Sequence, residues 1–121
     1  MGDKKKIVAV DDNPENLGVL KSTLKEKYTV FPVPSAVEMF DLLGHVKPDL
    51  ILLDVEMPEM NGHEAAEKLK ADGNLKDIPF IFLTSRDDEA SIQKGFNLGA
   101  VDYIPKPIDL PVLLERIEKH L

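Results

Sequence analysis

The sequence predicts an α/β domain in which a parallel sheet carries helices on both faces. Five short apolar runs alternate along the 121 residues with five segments of helical periodicity. Two of the predicted strands, 49–54 and 78–84, contain unbroken apolar runs, as strands do when both faces of a parallel sheet are buried. Parallel strands joined by helix-sized connections take right-handed crossovers. We therefore expect one doubly wound domain over 1–121.

Helix start signals separate the elements predicted in the first half of the chain. Asn13 can cap the first helix, and Pro14 fits its first turn because the missing N–H needs no partner there. Ser35 and Glu38 have the spacing of a capping box before the second helix. Pro32 places the second strand at an edge of the sheet. The predicted order is strand 6–10, helix 14–27, strand 28–33, helix 35–43 and strand 49–54.

The second half continues the same alternation to the last residue. Strong helix formers fill the third helical segment. Gly99 ends the fourth helix, and Asp109 can cap the fifth, which has Pro111 in its first turn. No linker is visible, so we expect a single domain without an output domain. The predicted order is helix 62–71, strand 78–84, helix 87–100, strand 101–104 and helix 110–121.

The composition argues against several classes of protein. The chain contains no cysteine, which excludes a disulfide framework and a thiolate metal site. Its formal net charge of −7 disfavours direct binding of nucleic acid. No apolar segment approaches the roughly 20 residues of a membrane span, and no signal peptide is visible. We expect a cytoplasmic protein that contacts neither a membrane nor nucleic acid.

Polar residues end four of the predicted strands. Asp11 and Asp12 follow the first strand, Asp54 ends the third, Thr84 ends the fourth and Lys106 follows the fifth. Each has an ordinary explanation by itself, as a helix cap, a strand residue or a surface lysine. Sites in open parallel sheets form at the carboxyl ends of the strands. We therefore expect the five side chains to share one edge of the sheet.

Three carboxylates at one edge need positive charge among them. At an effective dielectric of about 20, two unit charges 4 Å apart repel by on the order of 4 kcal/mol. Mg²⁺ suits the site because it takes few protein carboxylates and keeps waters or phosphate oxygens, and Mn²⁺ is the alternative ion. A cation, a lysine, a hydroxyl and a carboxylate nucleophile together indicate phosphoryl chemistry.

The motifs around these residues resemble the receiver domain of two-component response regulators along the whole chain. "VAVDDNPEN" resembles the acidic pair of the family, "LILLDVEMPEMNG" the phosphoacceptor segment, "IFLTS" the fourth-strand threonine motif and "DYIPKP" the Lys-Pro motif. The resemblance implies a flavodoxin-like (βα)5 fold with strand order 2-1-3-4-5. It also implies a signalling switch that takes a phosphoryl group from a histidine kinase or a phosphotransfer protein.

The resemblance assigns the phosphoryl and metal chemistry to particular residues. Asp54 would be the phosphoacceptor. Asp12 and Asp54 would bind Mg²⁺ directly, Asp11 largely through water, and Glu56 through its backbone carbonyl. Lys106 would pair with the phosphoryl group, and before phosphorylation with Asp54. The chain would catalyse its own phosphorylation and dephosphorylation but would not be a turnover enzyme.

The resemblance also implies a conformational switch and a tuning site. Thr84 and Tyr103 would rearrange on phosphorylation, and the surface formed by the fourth helix, fifth strand and fifth helix would report the change. Glu56 and Arg86 are expected to pair across the mouth of the site and slow hydrolysis. The structural residues would be Pro58 and Gly62 in the loop after Asp54, and Pro107 after a cis peptide bond.

Several readings remain open from the sequence. A flavin-binding carrier would need a Ser/Thr/Gly-rich phosphate loop where this chain has "DDNPEN". An aspartate phosphatase usually has a D-x-D pair and a cap domain. A degenerate receiver that only binds other proteins is the main alternative. Expected partners are the kinase and a downstream effector or fused output domain, and phosphorylation-dependent homodimerisation is a further option in the family.

Overall fold

The computed structural model describes residues 4–86 and 88–121 and confirms the predicted α/β architecture. All five strands are parallel, in the order β2-β1-β3-β4-β5. β2, the strand that contains Pro32, lies at one edge as its proline predicts. The strands are β1 (Lys6–Val10), β2 (Thr29–Val33), β3 (Leu50–Asp54), β4 (Phe80–Thr84) and β5 (Asp102–Pro105).

Each of the five described helices begins after a side chain that accepts a backbone N–H from its first turn. The predicted caps Asn13, Ser35 and Asp109 are confirmed. The third helix has a complete capping box, because Asn61 and Glu64 each accept from the backbone N–H of the other. The helices are α1 (Pro14–Leu24), α2 (Ala36–Leu43), α3 (Gly62–Ala71), α4 (Glu89–Asn97) and α5 (Leu110–His120).

Most element boundaries differ from the prediction by a few residues. α1 ends at Leu24 rather than at residue 27, because the N–H groups of Lys27 and Tyr28 both donate to the Leu24 carbonyl and close the helix with a turn. β4 starts at Phe80, since Pro79 has no N–H to donate.

The boundaries of α4 differ most. The helix starts at Glu89, with Asp88 as its cap, and Asp87, the predicted start, lies outside the described residues. It ends at Asn97 instead of residue 100, because Gly99 adopts a φ of 99°, which a helix does not accommodate.

The core consists of two apolar layers, one on each face of the sheet. Neighbouring residues of a strand point to opposite faces, so Ile7 and Ala9 enter one layer and Val8 and Val10 the other. α1 and α5 cover the first layer, and α2 and α3 cover the second. β3 and β4 are buried along their whole length. This burial fixes where both strands end, and therefore where the polar residues at their ends lie.

The helices of the described residues are all too short or too polar to cross a membrane.

Candidate functional site

The carboxyl edge of the sheet brings the predicted site residues together. Asp11, Asp12 and Asp54 each offer a carboxylate oxygen, and these oxygens lie within 4.8 Å of one another. Asp11 is fully buried, Asp54 is 1% exposed, and Asp12 is open to solvent. Thr84 ends the neighbouring strand and is also buried. The site is therefore a half-open acidic cluster whose floor is the end of the sheet.

A glycine allows the chain to turn away immediately beneath Asp54. The N–H of Gly62 donates to the Val55 carbonyl at 2.8 Å, so α3 begins against the backbone that carries the acid. A Cβ on Gly62 would lie 2.7 Å from Val55 Cα and closer still to the Asp54 carbonyl oxygen. Pro58 and Glu59, which has a φ of 66°, form the intervening loop.

Lys106 places one positive charge between two carboxylates. Its Nζ lies 3.1 Å from Asp54 Oδ1 and 3.2 Å from Asp11 Oδ2. Its backbone N–H donates to the Thr84 carbonyl at 2.8 Å, and the peptide bond to Pro107 is cis. Burial lowers the pKa of Lys106, but the hydrogen bond and charge of Asp54, together with Asp11, outweigh burial and raise it overall. Lys106 is therefore charged at neutral pH.

Asp54 is held in an environment that disfavours its ionised form. Burial and the negative charge of Asp11 raise the pKa of Asp54 from 3.8 to about 6, although Lys106 opposes both effects. Its Oδ1 accepts from Lys106 and from the Glu56 N–H at 3.3 Å. Its Oδ2 is buried and accepts no hydrogen bond from residues 4–86 and 88–121. A buried carboxylate oxygen without a partner is costly, so this atom is a candidate ligand for a cation or a candidate nucleophile.

Asp11 is fixed by three donors, and the contact with Asn16 is the one that brings a new residue to the site. Its Oδ1 accepts from the Asn13 N–H at 2.9 Å, and its Oδ2 accepts from Lys106. The same Oδ2 also accepts from Asn16 Nδ2 at 3.2 Å. Asn16 lies in the first turn of α1, four residues after Asp12. In the sequence, the only feature that indicates this contact is an amide side chain so soon after the acidic pair.

The expected pair between Glu56 and Arg86 is not formed in this structure. Glu56 instead accepts a 2.5 Å hydrogen bond from the Ser85 hydroxyl. The Arg86 guanidinium lies 3.9 Å from Asp88, and both side chains are more than half exposed. Ser85 directly follows β4 and its hydroxyl occupies the Glu56 carboxylate, while the Arg86 guanidinium is directed toward the acidic cap of α4, Asp88.

A cavity of about 630 Å³ adjoins the site between the sheet and α4. Thr84 and Tyr103 both line it, as do Glu56 and Arg86. The Tyr103 ring packs edge-to-face against Phe96, with centroids 6.3 Å apart. The cavity therefore connects the strand end that carries Thr84 with the aromatic residue of β5.

Comparison with known proteins places this fold and site in one family. The sequence model of the response regulator receiver domain family matches residues 7–118, so the chain belongs to that family. It is a receiver domain of the two-component response regulator type. The family that the sequence motifs predicted is thus confirmed.

Individual relatives differ in how much of their length the chain covers. It is 34% identical over 121 residues to the polar-differentiation response regulator DivK of Brucella anthropi, covering 97% of this chain and 96% of DivK. It is 38% identical to a probable cyclic di-GMP phosphodiesterase of Vibrio cholerae, covering 95% of this chain but only 26% of that protein. The chain thus spans about a quarter of that relative.

A solved structure with the same fold holds a metal ion. The receiver domain of the sensor histidine kinase PA1611 from Pseudomonas aeruginosa superposes with a TM-score of 0.86 at 26% identity, covering 96% of each chain. Its active-site cleft coordinates a magnesium ion.

Proposed function

We propose that this receiver domain accepts a phosphoryl group on Asp54 from a histidine kinase or a phosphotransfer protein, in the presence of Mg²⁺. The observation that carries the proposal is the buried Oδ2 of Asp54, which has no hydrogen-bond partner in the described part of the chain and lies beside two further aspartates and one lysine. A carboxylate oxygen of Asp54 would attack the phosphorus as the P–N bond to the donor histidine breaks. The imidazole would then recover a proton from solvent.

The residues present fit Mg²⁺. Asp11, Asp12 and Asp54 supply the hard oxygen ligands that this ion prefers, and the exposed position of Asp12 leaves the site open to water. The backbone carbonyl of Glu56 would complete the protein ligands. Mn²⁺ would fit the same donors. When bound, the ion would neutralise carboxylate and phosphoryl oxygens. The magnesium ion in the PA1611 receiver domain supports the same assignment here.

Two side chains are placed to stabilise the phosphoryl group. Lys106 already reaches Asp54 at 3.1 Å, and its ammonium would follow the negative charge when that charge moves onto the phosphoryl oxygens. The Thr84 hydroxyl accepts a hydrogen bond from the Arg86 N–H, so its own proton remains available as a donor.

Thr84 and Tyr103 are proposed to form the switch. Both line the cavity beneath α4, so a shift of Thr84 toward a phosphoryl group would change the space open to the Tyr103 ring. The two arrangements would be populated according to phosphorylation. The surface formed by α4, β5 and α5 would present the difference to a downstream effector or a fused output domain, or to a second copy of the chain.

Glu56 and Arg86 are proposed to slow hydrolysis of phospho-Asp54. The two residues follow neighbouring strand ends. Glu56 is held by its hydrogen bond from Ser85, and Arg86 lies beside Asp88 at the mouth of the cavity. The receiver would catalyse only its own phosphorylation and dephosphorylation.

Incubation with acetyl phosphate and Mg²⁺ tests the proposal. The intact mass should increase by one phosphoryl group, and the gain should disappear in Asp54→Ala and on addition of EDTA. Asp41→Ala, which removes an exposed aspartate of α2, is the matched control and should keep the gain. A wild-type chain that gains no mass from either acetyl phosphate or a phosphorylated kinase domain would instead support a degenerate receiver that only binds other proteins.

A further inference from the structure

Asn16 contacts the most buried carboxylate of the site. Its Nδ2 donates to Asp11 Oδ2 at 3.2 Å, and Asp11 is 0% exposed. An ionised carboxylate only accepts hydrogen bonds, so the amide nitrogen and not the amide oxygen must face it. Asn16 itself is only partly buried and lies in the first turn of α1.

The oxygen that Asn16 contacts is shared with Lys106. The Lys106 Nζ lies 3.2 Å from the same Asp11 Oδ2 and 3.1 Å from Asp54 Oδ1. If the lysine were the only donor to that oxygen, each movement of its ammonium would leave a buried carboxylate oxygen without a partner. Asn16 supplies a second donor that belongs to a different element, α1, and does not depend on where the ammonium lies.

We propose that Asn16 is a positioning residue that holds Asp11 in its ligand orientation while Lys106 moves from the carboxylates to the phosphoryl group. The inference rests on the proposed function, in which Asp11 helps to hold Mg²⁺ and Lys106 pairs with phosphate. Asn16 is not among the proposed ligands of the ion or the groups that would meet the phosphoryl group. It acts through Asp11, whose other oxygen is fixed by the Asn13 N–H.

Groups behind a ligand commonly control the affinity for a metal. Loss of a hydrogen-bond partner of a ligand typically weakens metal affinity by about 10–100-fold, because the ligand then loses its orientation. The Asn16 contact is one of three on Asp11, so we expect an effect at the lower end of this range. Substitution by leucine removes the donor while keeping a side chain of similar size and good helix propensity.

Titration calorimetry with MgCl2 on the phosphate-free chain tests the inference. Asn16→Leu and Asn16→Ala should bind Mg²⁺ about tenfold more weakly than the wild type. Asn97→Leu is the matched control, since Asn97 also makes a side-chain hydrogen bond within a helix, 2.9 Å to Gln93, but far from the acidic cluster. Its Mg²⁺ affinity should equal that of the wild type.

The outcomes separate this inference from the proposed function. If the wild type binds Mg²⁺ and both folded Asn16 variants bind it equally well, Asn16 does not position Asp11 and the inference is wrong. If the wild type itself does not bind Mg²⁺, the proposed metal role fails first. A purely structural contribution of Asn16 would lower the free energy of unfolding of both variants and leave the Mg²⁺ affinity of the folded chain unchanged.

Discussion

Replacement of Asp54 by asparagine should stabilise the metal-free chain at neutral pH. Burial and the charge of Asp11 raise the pKa of Asp54 from 3.8 to about 6. The folded state therefore binds a proton more tightly than the unfolded state does. The stabilising contribution of protonated Asp54 is complete below pH 3.8 and is lost as the pH rises through about 6. A neutral side chain at this position does not undergo that loss.

The magnitude follows from the size of the shift. The difference between 3.8 and about 6 is about 2.2 units, and at about 1.36 kcal/mol per unit the ionised side chain costs about 3 kcal/mol at pH 7.5. The pKa of about 6 already includes the pairing of ionised Asp54 with Lys106, so a gain of up to about 3 kcal/mol is expected for Asp54→Asn. The gain should shrink as the pH falls toward 4.

Urea unfolding in EDTA, followed by circular dichroism from pH 4.5 to 7.5, measures this difference. Asp41→Asn is the control, because Asp41 is exposed and removing its charge changes the net charge of the chain by the same amount. The reasoning is refuted if Asp54→Asn is no more stable than the wild type at pH 7.5. It is also refuted if the difference between the two does not depend on pH.

Three further predictions concern the surroundings of the site. Gly62→Ala should lower the free energy of unfolding by about 2–3 kcal/mol, because the new Cβ would overpack against the backbone of Asp54 and Val55. Gly73→Ala is the control in the same urea titration. It should have little effect, since a Cβ on Gly73 would meet nothing within 4 Å. Arg116→Ala should lower the free energy of unfolding by about 1–2 kcal/mol, because Arg116 Nη1 donates hydrogen bonds to Asp102 at 2.9 Å and to the Tyr103 carbonyl at 2.8 Å. Lys119→Ala, at an exposed position, is the control. Equal stability of the two variants would contradict this prediction. Ser85→Ala should shorten the lifetime of phospho-Asp54 about threefold, because it releases Glu56 from its hydrogen bond, and Arg86→Ala should shorten the lifetime less. Loss of the phosphoryl mass with time measures both lifetimes. An unchanged or longer lifetime in Ser85→Ala would exclude a role of Glu56 in slowing hydrolysis.

The fold was predictable because its signals are local. The continuous apolar runs of β3 and β4 indicated strands buried on both faces, and the caps at Asn13, Ser35 and Asp109 marked helix starts. The ends of the elements were harder, since they depend on competing hydrogen bonds. The closing turn after Leu24 shortened α1 against its apolar periodicity.

The site was predictable at the level of which residues meet, but not of which atoms pair. The rule that sites form at strand ends brings Asp11, Asp54 and Lys106 together without any coordinates. The hydrogen-bond partners of Glu56 and Asp11 depend on how side chains from two different segments are oriented toward each other. Glu56 and Arg86 each lie two residues after a strand end, and this equal spacing suggested that they pair, yet the donor to Glu56 is Ser85. Asn16 contacts Asp11 from the first turn of a helix.

The charges of the site explain why its Asp54 is both costly and useful. The ammonium of Lys106 pairs with Asp11 and Asp54, and Asp12 lies beside them, so with all three carboxylates ionised the four groups sum to −2. Among the described residues, none donates to Oδ2 of Asp54, although two donors reach Oδ1. A divalent cation would cancel the excess charge, and its binding would therefore compete with the proton that Asp54 retains up to about pH 6. The destabilised carboxylate would thus couple folding to the proposed metal binding and phosphoryl acceptance, because all three would act on the same uncompensated charge.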